Sequence, residues 1–81
     1  MIVEVSIAKE KAKGMPKGSV DALREELTKR LSQNYSDFQV VVKLASNDGL
    51  SVLRSQNKDA DREFVSTVLQ ETWESAEDWF N

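Results

Sequence analysis

The chain contains no cysteine and no histidine. Without cysteine it has no disulfide and no thiolate to serve as nucleophile or ligand. Without histidine it lacks the commonest general base and the commonest metal ligand. Zinc sites, serine–histidine triads and cysteine–histidine pairs are excluded together. One proline and three glycines in 81 residues leave no glycine-rich phosphate loop. No apolar run approaches the roughly 18–20 residues that cross a bilayer. The opening MIVEVSIAKEK alternates and has no basic residue ahead of its apolar stretch, so a secretory signal is not expected. These absences point away from an enzyme, a metal, a cofactor or a membrane. They fit a single small cytoplasmic domain, residues 1–81, folded without staples.

The most informative absence is local. From Glu63 to Asn81 the chain reads EFVSTVLQETWESAEDWFN, with five carboxylates and no Lys or Arg. Solvated helices usually mix the two signs, because Glu/Lys pairs three or four apart add support. The imbalance extends to the whole chain. Residues 1–45 carry eight basic and six acidic side chains, and residues 46–81 carry three and eight. A free nucleic-acid binder normally shows the opposite overall sign.

The remaining sequence reads as alternating elements. Residues 2–8, IVEVSIA, put Val3, Val5 and Ile7 on one face of a half-buried strand. Residues 9–18, KEKAKGMPKG, form a basic, flexible connection. It is either a solubilising loop or a contact for an acidic surface or phosphate backbone. Ser19 is placed to cap a helix with Asp21 in its first turn. Val20, Leu23, Leu27 and Leu31 follow at helical spacing, and the helix ends around Asn34–Ser36. Glu25 with Lys29 and Glu26 with Arg30 stand in the favoured i,i+4 order.

Residues 38–45, FQVVVKLA, place Phe38, Val40, Val42 and Leu44 on one strand face. Asn47-Asp48-Gly49 signals a turn, and residues 50–55 form the next strand. The short separation predicts an antiparallel hairpin between these two strands. Asn57 or Asp59 caps a second helix over about 58–79. The fold class is α+β, in the order β-α-β-β-α. A three-stranded sheet carries both helices on one face, and the first crossover is expected to be right-handed.

At ~100° per residue, Val65, Val68, Leu69, Thr72, Ala76, Trp79 and Phe80 of the last helix share an apolar arc, with Trp73 at its edge. Glu63, Gln70, Glu71, Glu74, Glu77 and Asp78 lie opposite. The carboxylates thus make a ridge of ~22 Å at ~1.5 Å per residue. Glu71/Glu74, Glu74/Glu77 and Glu74/Asp78 are like-charge neighbours, each costing a few tenths of a kcal/mol. Glu77 and Asp78 also meet the unfavourable end of the helix dipole, at ~0.3–1 kcal/mol each. Local inconsistency of this kind marks candidate functional surface. Three readings stand. The ridge is a soluble face, or it docks on a basic surface as a row of phosphates would, or Glu74, Glu77 and Asp78 bind a divalent ion, which usually needs a folded loop. Trp73 is either a core residue or an interface aromatic.

The stretch from Leu69 to Phe80, LQETWESAEDWF, closely resembles the C-terminal helix of the DNA-damage-inducible protein I (DinI) family. Val3-Glu4-Val5, Ile7-Ala8-Lys9, Asp21-Ala22-Leu23 and Leu50-Ser51-Val52 are similar too, so the resemblance covers nearly the whole chain. It implies a small β-α-β-β-α bacterial protein of the SOS response, with relatives on prophages and among virulence-associated proteins. Its partner would be the RecA filament on single-stranded DNA, with effects on RecA activities such as promoted UmuD self-cleavage. It also implies that Glu71, Glu74, Glu77 and Asp78 face RecA, with Glu63 extending the ridge. The connection at 9–18 holds more lysine than the best-known member.

Two alternatives stand beside that reading. One is a nucleic-acid-binding module using Lys9, Lys11, Lys13 and Lys17. The other is a DNA-mimicking interaction domain for another DNA-binding protein, or a self-associating one. Strong direct DNA binding is not expected from the charge balance, and exposed strand edges allow a monomer or a weak homodimer.

Overall fold

Strict alternation in IVEVSIA produces the central strand. Val3, Val5 and Ile7 are buried and the residues between them half-buried, the pattern of a sheet packed on one face. The computed structural model describes residues 1–16 and 18–76; Lys17 and residues 77–81 lie outside the described residues. Its elements are β1 (Ile2–Ala8), α1 (Lys9–Lys13), α2 (Ser19–Leu31), β2 (Gln39–Ala45), β3 (Gly49–Leu53) and α3 (Lys58–Glu74). The architecture is α+β, with a three-stranded sheet and two long helices on one side of it. The core interleaves Val3, Val5, Ile7, Val40 and Val52 of the sheet with Leu23, Leu27 and Leu31 of α2 and Val65 of α3.

The expected hairpin does not form. The strand order is β2-β1-β3, with β1 parallel to β2 and antiparallel to β3. Ala45 lies beside Ala8 and Gly49 beside Ser6, so residues 46–48 step over the end of β1. That step spans two strand spacings, about 10 Å, within reach of the three connecting residues. Asp48 fixes the step by accepting the Ala8 N–H at 2.7 Å. The turn was legible, but it bridges the two outer strands instead of pairing them. The most regular apolar strand takes the centre, where both edges and one face are covered.

The lysine-rich connection is also more ordered than its composition indicates. Lys9–Lys13 make a short helix with Glu10 in the first turn and Lys11 and Lys13 in the last, the order the dipole favours. Ala12 turns toward the core, and the Gly14 N–H closes the helix on the Lys11 carbonyl at 3.2 Å. The next correction is at Ser19, which is the first residue of α2 and not its cap. Gly18 takes the cap position with φ at 88°, a conformation only glycine adopts without strain. That reversal carries Ser19 inward, where it is buried and donates its hydroxyl to the Pro16 carbonyl.

Two boundaries shift. α2 ends at Leu31, and the chain then turns, with the N–H groups of Asn34 and Tyr35 both returning to the Leu31 carbonyl at 3.0 and 2.9 Å. β3 ends at Leu53 because Arg54 enters the left-handed region at φ 56°. α3 begins as expected, with the Asn57 side chain accepting the Ala60 N–H at 3.4 Å. Its described span runs to Glu74 and Ala76 is again helical, while the expected continuation to about 79 lies outside the described residues. On β2, Val40 is buried and Val42 half-buried, but Leu44 is 47% exposed. Leu44 lines a shallow surface cleft with Met15, Pro16 and Val20, the last from the first turn of α2.

Candidate functional site

The two faces of α3 separate as the 3.6-residue period requires. Val65 and Thr72 are fully buried, and Val68, Leu69 and Trp73 are packed against the core. The Thr72 hydroxyl reaches the core satisfied, donating to the Val68 carbonyl at 2.7 Å. Glu63, Gln70, Glu71 and Glu74 are exposed on the opposite side. Glu77, Asp78, Trp79 and Phe80 lie outside the described residues. Among the described residues, the ion pairs are Lys11–Asp48, Glu26–Arg30 and Glu4–Lys43. None involves Glu63, Glu71 or Glu74. Gln70 donates to Glu74 at 3.3 Å, which orients that carboxylate and leaves its charge in place.

The last turn of α3 contains no basic residue, but a cation arrives from the neighbouring helix. Arg30 of α2 donates from Nε to Glu26 at 2.7 Å and from Nη2 to the Ser75 hydroxyl at 2.8 Å. Ser75 is the C-cap of α3, and its hydroxyl donates in turn to the Glu71 carbonyl at 2.9 Å. The sequence indicated the Glu26–Arg30 pair from its spacing. The companion Glu25–Lys29 pair does not close among the described residues. The reach to Ser75, 45 residues away, carries no local signal.

The basic segment is divided. Lys9, Lys11 and Lys13 are all exposed on α1, but Lys11 is tied to neighbouring elements. Its ammonium is 3.7 Å from Asp48 and 4.5 Å from the centre of the Trp73 ring. A cation over an indole at that distance is worth ~0.5–1 kcal/mol at a partly exposed site. Trp73 is therefore half-buried at the core margin with one face covered by Lys11. Asp48 joins the three parts, binding Ala8 with one oxygen and Lys11 with the other. A shallow cleft beside this contact is lined by Ser6, Gly49, Leu50, Ser66 and Leu69.

Other polar groups serve the fold. Tyr35 donates its hydroxyl to Asp61 at 2.9 Å, Ser55 donates to the other Asp61 oxygen, and the Tyr35 ring meets Phe38 and Phe64. Burial, followed by the Asp61 contact, raises the Tyr35 phenol above its ordinary value. Among the described residues no cluster of three acidic, cysteine or histidine side chains could hold a metal ion. No helix of the described residues is long and apolar enough to cross a membrane. The arrangement offers a surface of unneutralised carboxylates on a rigid helix, which suits recognition of a basic partner.

Known proteins resemble this chain along its whole length. The model of the DinI-like family matches residues 16–80. A DinI-like protein in prophage CP-933V of Escherichia coli O157:H7 is 58% identical over 80 residues, spanning 99% of this chain and 98% of that one. The DNA damage-inducible protein I of Serratia marcescens is 43% identical over 81 residues, spanning 100% and 98%. That of Escherichia coli K12 is 43% identical over 82 aligned residues, spanning 99% and 96%. With a family match over most of its length and full-length relatives at this identity, the chain belongs to the DinI-like family.

Proposed function

We propose that this protein is a non-enzymatic modulator of the bacterial SOS response that binds the RecA filament on single-stranded DNA through the outward face of α3. It acts in the cytoplasm and regulates RecA activities such as promoted UmuD self-cleavage. The observation that carries the reading is the exposed set Glu63, Glu71 and Glu74, without an ion pair among the described residues, on one side of a helix whose other side is core. Glu77 and Asp78, outside the described residues, match the same family motif in sequence. A row of carboxylates at helical spacing presents to a basic groove the sign and approximate spacing of a nucleic-acid backbone. The names of the relatives, DNA damage-inducible protein I and prophage DinI-like protein, support the damage-response setting.

Co-sedimentation with RecA–single-stranded-DNA filaments tests the reading. Wild type is expected to pellet with the filament. The triple variant Glu74→Lys, Glu77→Lys, Asp78→Lys is expected to stay in the supernatant with an unchanged circular dichroism spectrum. Pelleting by the triple variant at the wild-type level refutes the assignment.

A further inference from the structure

The acidic face poses a problem that the fold answers from outside the helix. A helix C-terminus leaves carbonyls open and carries partial negative charge. Glu71 and Glu74 add to it, and the last turn of α3 supplies no cation. A lysine three or four residues from these carboxylates would relieve the strain but would also neutralise the face. Arg30 relieves it differently. It belongs to the last turn of α2 and reaches the C-cap of α3, so one guanidinium serves the negative ends of two helices. Its Nε is occupied by Glu26 and its Nη2 by the Ser75 hydroxyl, which passes the polarisation on to the Glu71 carbonyl. Neither contact consumes a carboxylate of the ridge.

We infer that Arg30, oriented by Glu26 and acting through Ser75, is the positioning residue of the acidic face: it fixes the C-terminal turn of α3 while leaving Glu71 and Glu74 free for a partner. The binding part of this inference rests on the reading of the face as a docking surface for RecA. The geometry requires arginine. Two acceptors on two helices are met by two separate N–H groups of one planar fork, which a lysine ammonium cannot present in fixed directions. The chain Glu26–Arg30–Ser75–Glu71 carbonyl is also continuous, and hydrogen bonds in series reinforce one another. The side chains of Arg30 and Glu26 are 26% and 17% exposed, so the pair is screened less than a fully solvated one.

Arg30→Gln, Arg30→Lys and Ser75→Ala test this with two readouts. The first is amide hydrogen exchange along α3 in the free protein. Protection of residues 72–75 is expected to fall on the order of 5- to 30-fold in all three variants, with Val65 unchanged, since local opening is reported turn by turn. The double variant Arg30→Gln, Ser75→Ala is expected to lose no more than Arg30→Gln alone. Unchanged protection at residues 72–75 overturns the clamp. The second readout is affinity for the RecA–single-stranded-DNA filament. Arg30→Gln makes the molecule more negative, so attraction to a basic partner alone predicts tighter binding. Positioning predicts binding weakened about 3- to 10-fold, with no rescue by Arg30→Lys, because ordering a frayed turn costs affinity. Tighter or unchanged binding by Arg30→Gln overturns the positioning role. If wild type does not bind the filament, the assignment of the partner falls, and the exchange data still decide the clamp.

Discussion

At the scale of single residues, several polar groups in this fold serve two contacts. Asp48 holds the end of β1 with one oxygen and Lys11 with the other. Asp61 accepts from both Tyr35 and Ser55. Arg30 joins two helices. The Tyr35 contact has a testable pH signature. Its phenol is raised from the ordinary 10.0 in the folded state, first by burial and then by Asp61. A raised folded value means that the neutral form is the stabilised one. The contribution is complete below the unfolded value and is lost as pH rises through the folded one. Urea midpoints are therefore expected to decline above about pH 10. Tyr35→Phe is expected to lower stability at neutral pH by about 0.5–1.5 kcal/mol and to remove that contribution to the alkaline decline. A decline of equal size in the variant contradicts the assignment to Tyr35.

At the scale of elements, the sequence shows how the helices and strands begin more clearly than how they end. Asn57 caps α3 as its residue type and position indicate, and Asn57→Ala is expected to cost ~1 kcal/mol in chemical denaturation. Gly18 was not legible as a cap. Ser19 has the better side chain for capping, and only the φ of 88° shows that the chain reverses one residue earlier. Gly18→Ala is expected to destabilise by about 1–2 kcal/mol despite open space around the site, because the cost lies in the backbone. Stability unchanged by Gly18→Ala contradicts that account of the helix start. The helix in Lys9–Lys13 escaped the composition-based reading, since lysine-rich stretches beside Gly and Pro usually mark loops. What holds it is tertiary: Ala12 on the core and Lys11 on Trp73 and Asp48.

At the scale of the molecule, the layer arrangement followed from the apolar spacing, and the strand order did not. Three alternating strands fit one sheet in several orders, and the short 46–48 connection suggested the local pairing. The sheet instead places β1 between β2 and β3, with ladders to both, and the long-range Asp48–Ala8 hydrogen bond holds the connection in place. The candidate site divides in the same way. Which side of α3 carries charge was legible from the helical period alone, because burial and charge obey it together. That the charge stays unneutralised while its helix end is secured depends on Arg30, whose reach to Ser75 is a property of the packed helices.

The central claim is that the exposed carboxylates of α3 form the docking surface. It is tested most directly by measuring filament affinity against salt, over roughly 50–300 mM, where surface charges are progressively screened. Wild type is compared with the neutral variant Glu63→Gln, Glu71→Gln, Glu74→Gln, which retains side-chain size and helix propensity. The account predicts that wild-type affinity for the RecA–single-stranded-DNA filament falls steeply with salt. It also predicts that the neutral variant binds at least about tenfold more weakly at low salt, with a shallow dependence, because its attraction to a basic surface is reduced. Equal affinity and equal salt dependence in the two proteins would contradict it.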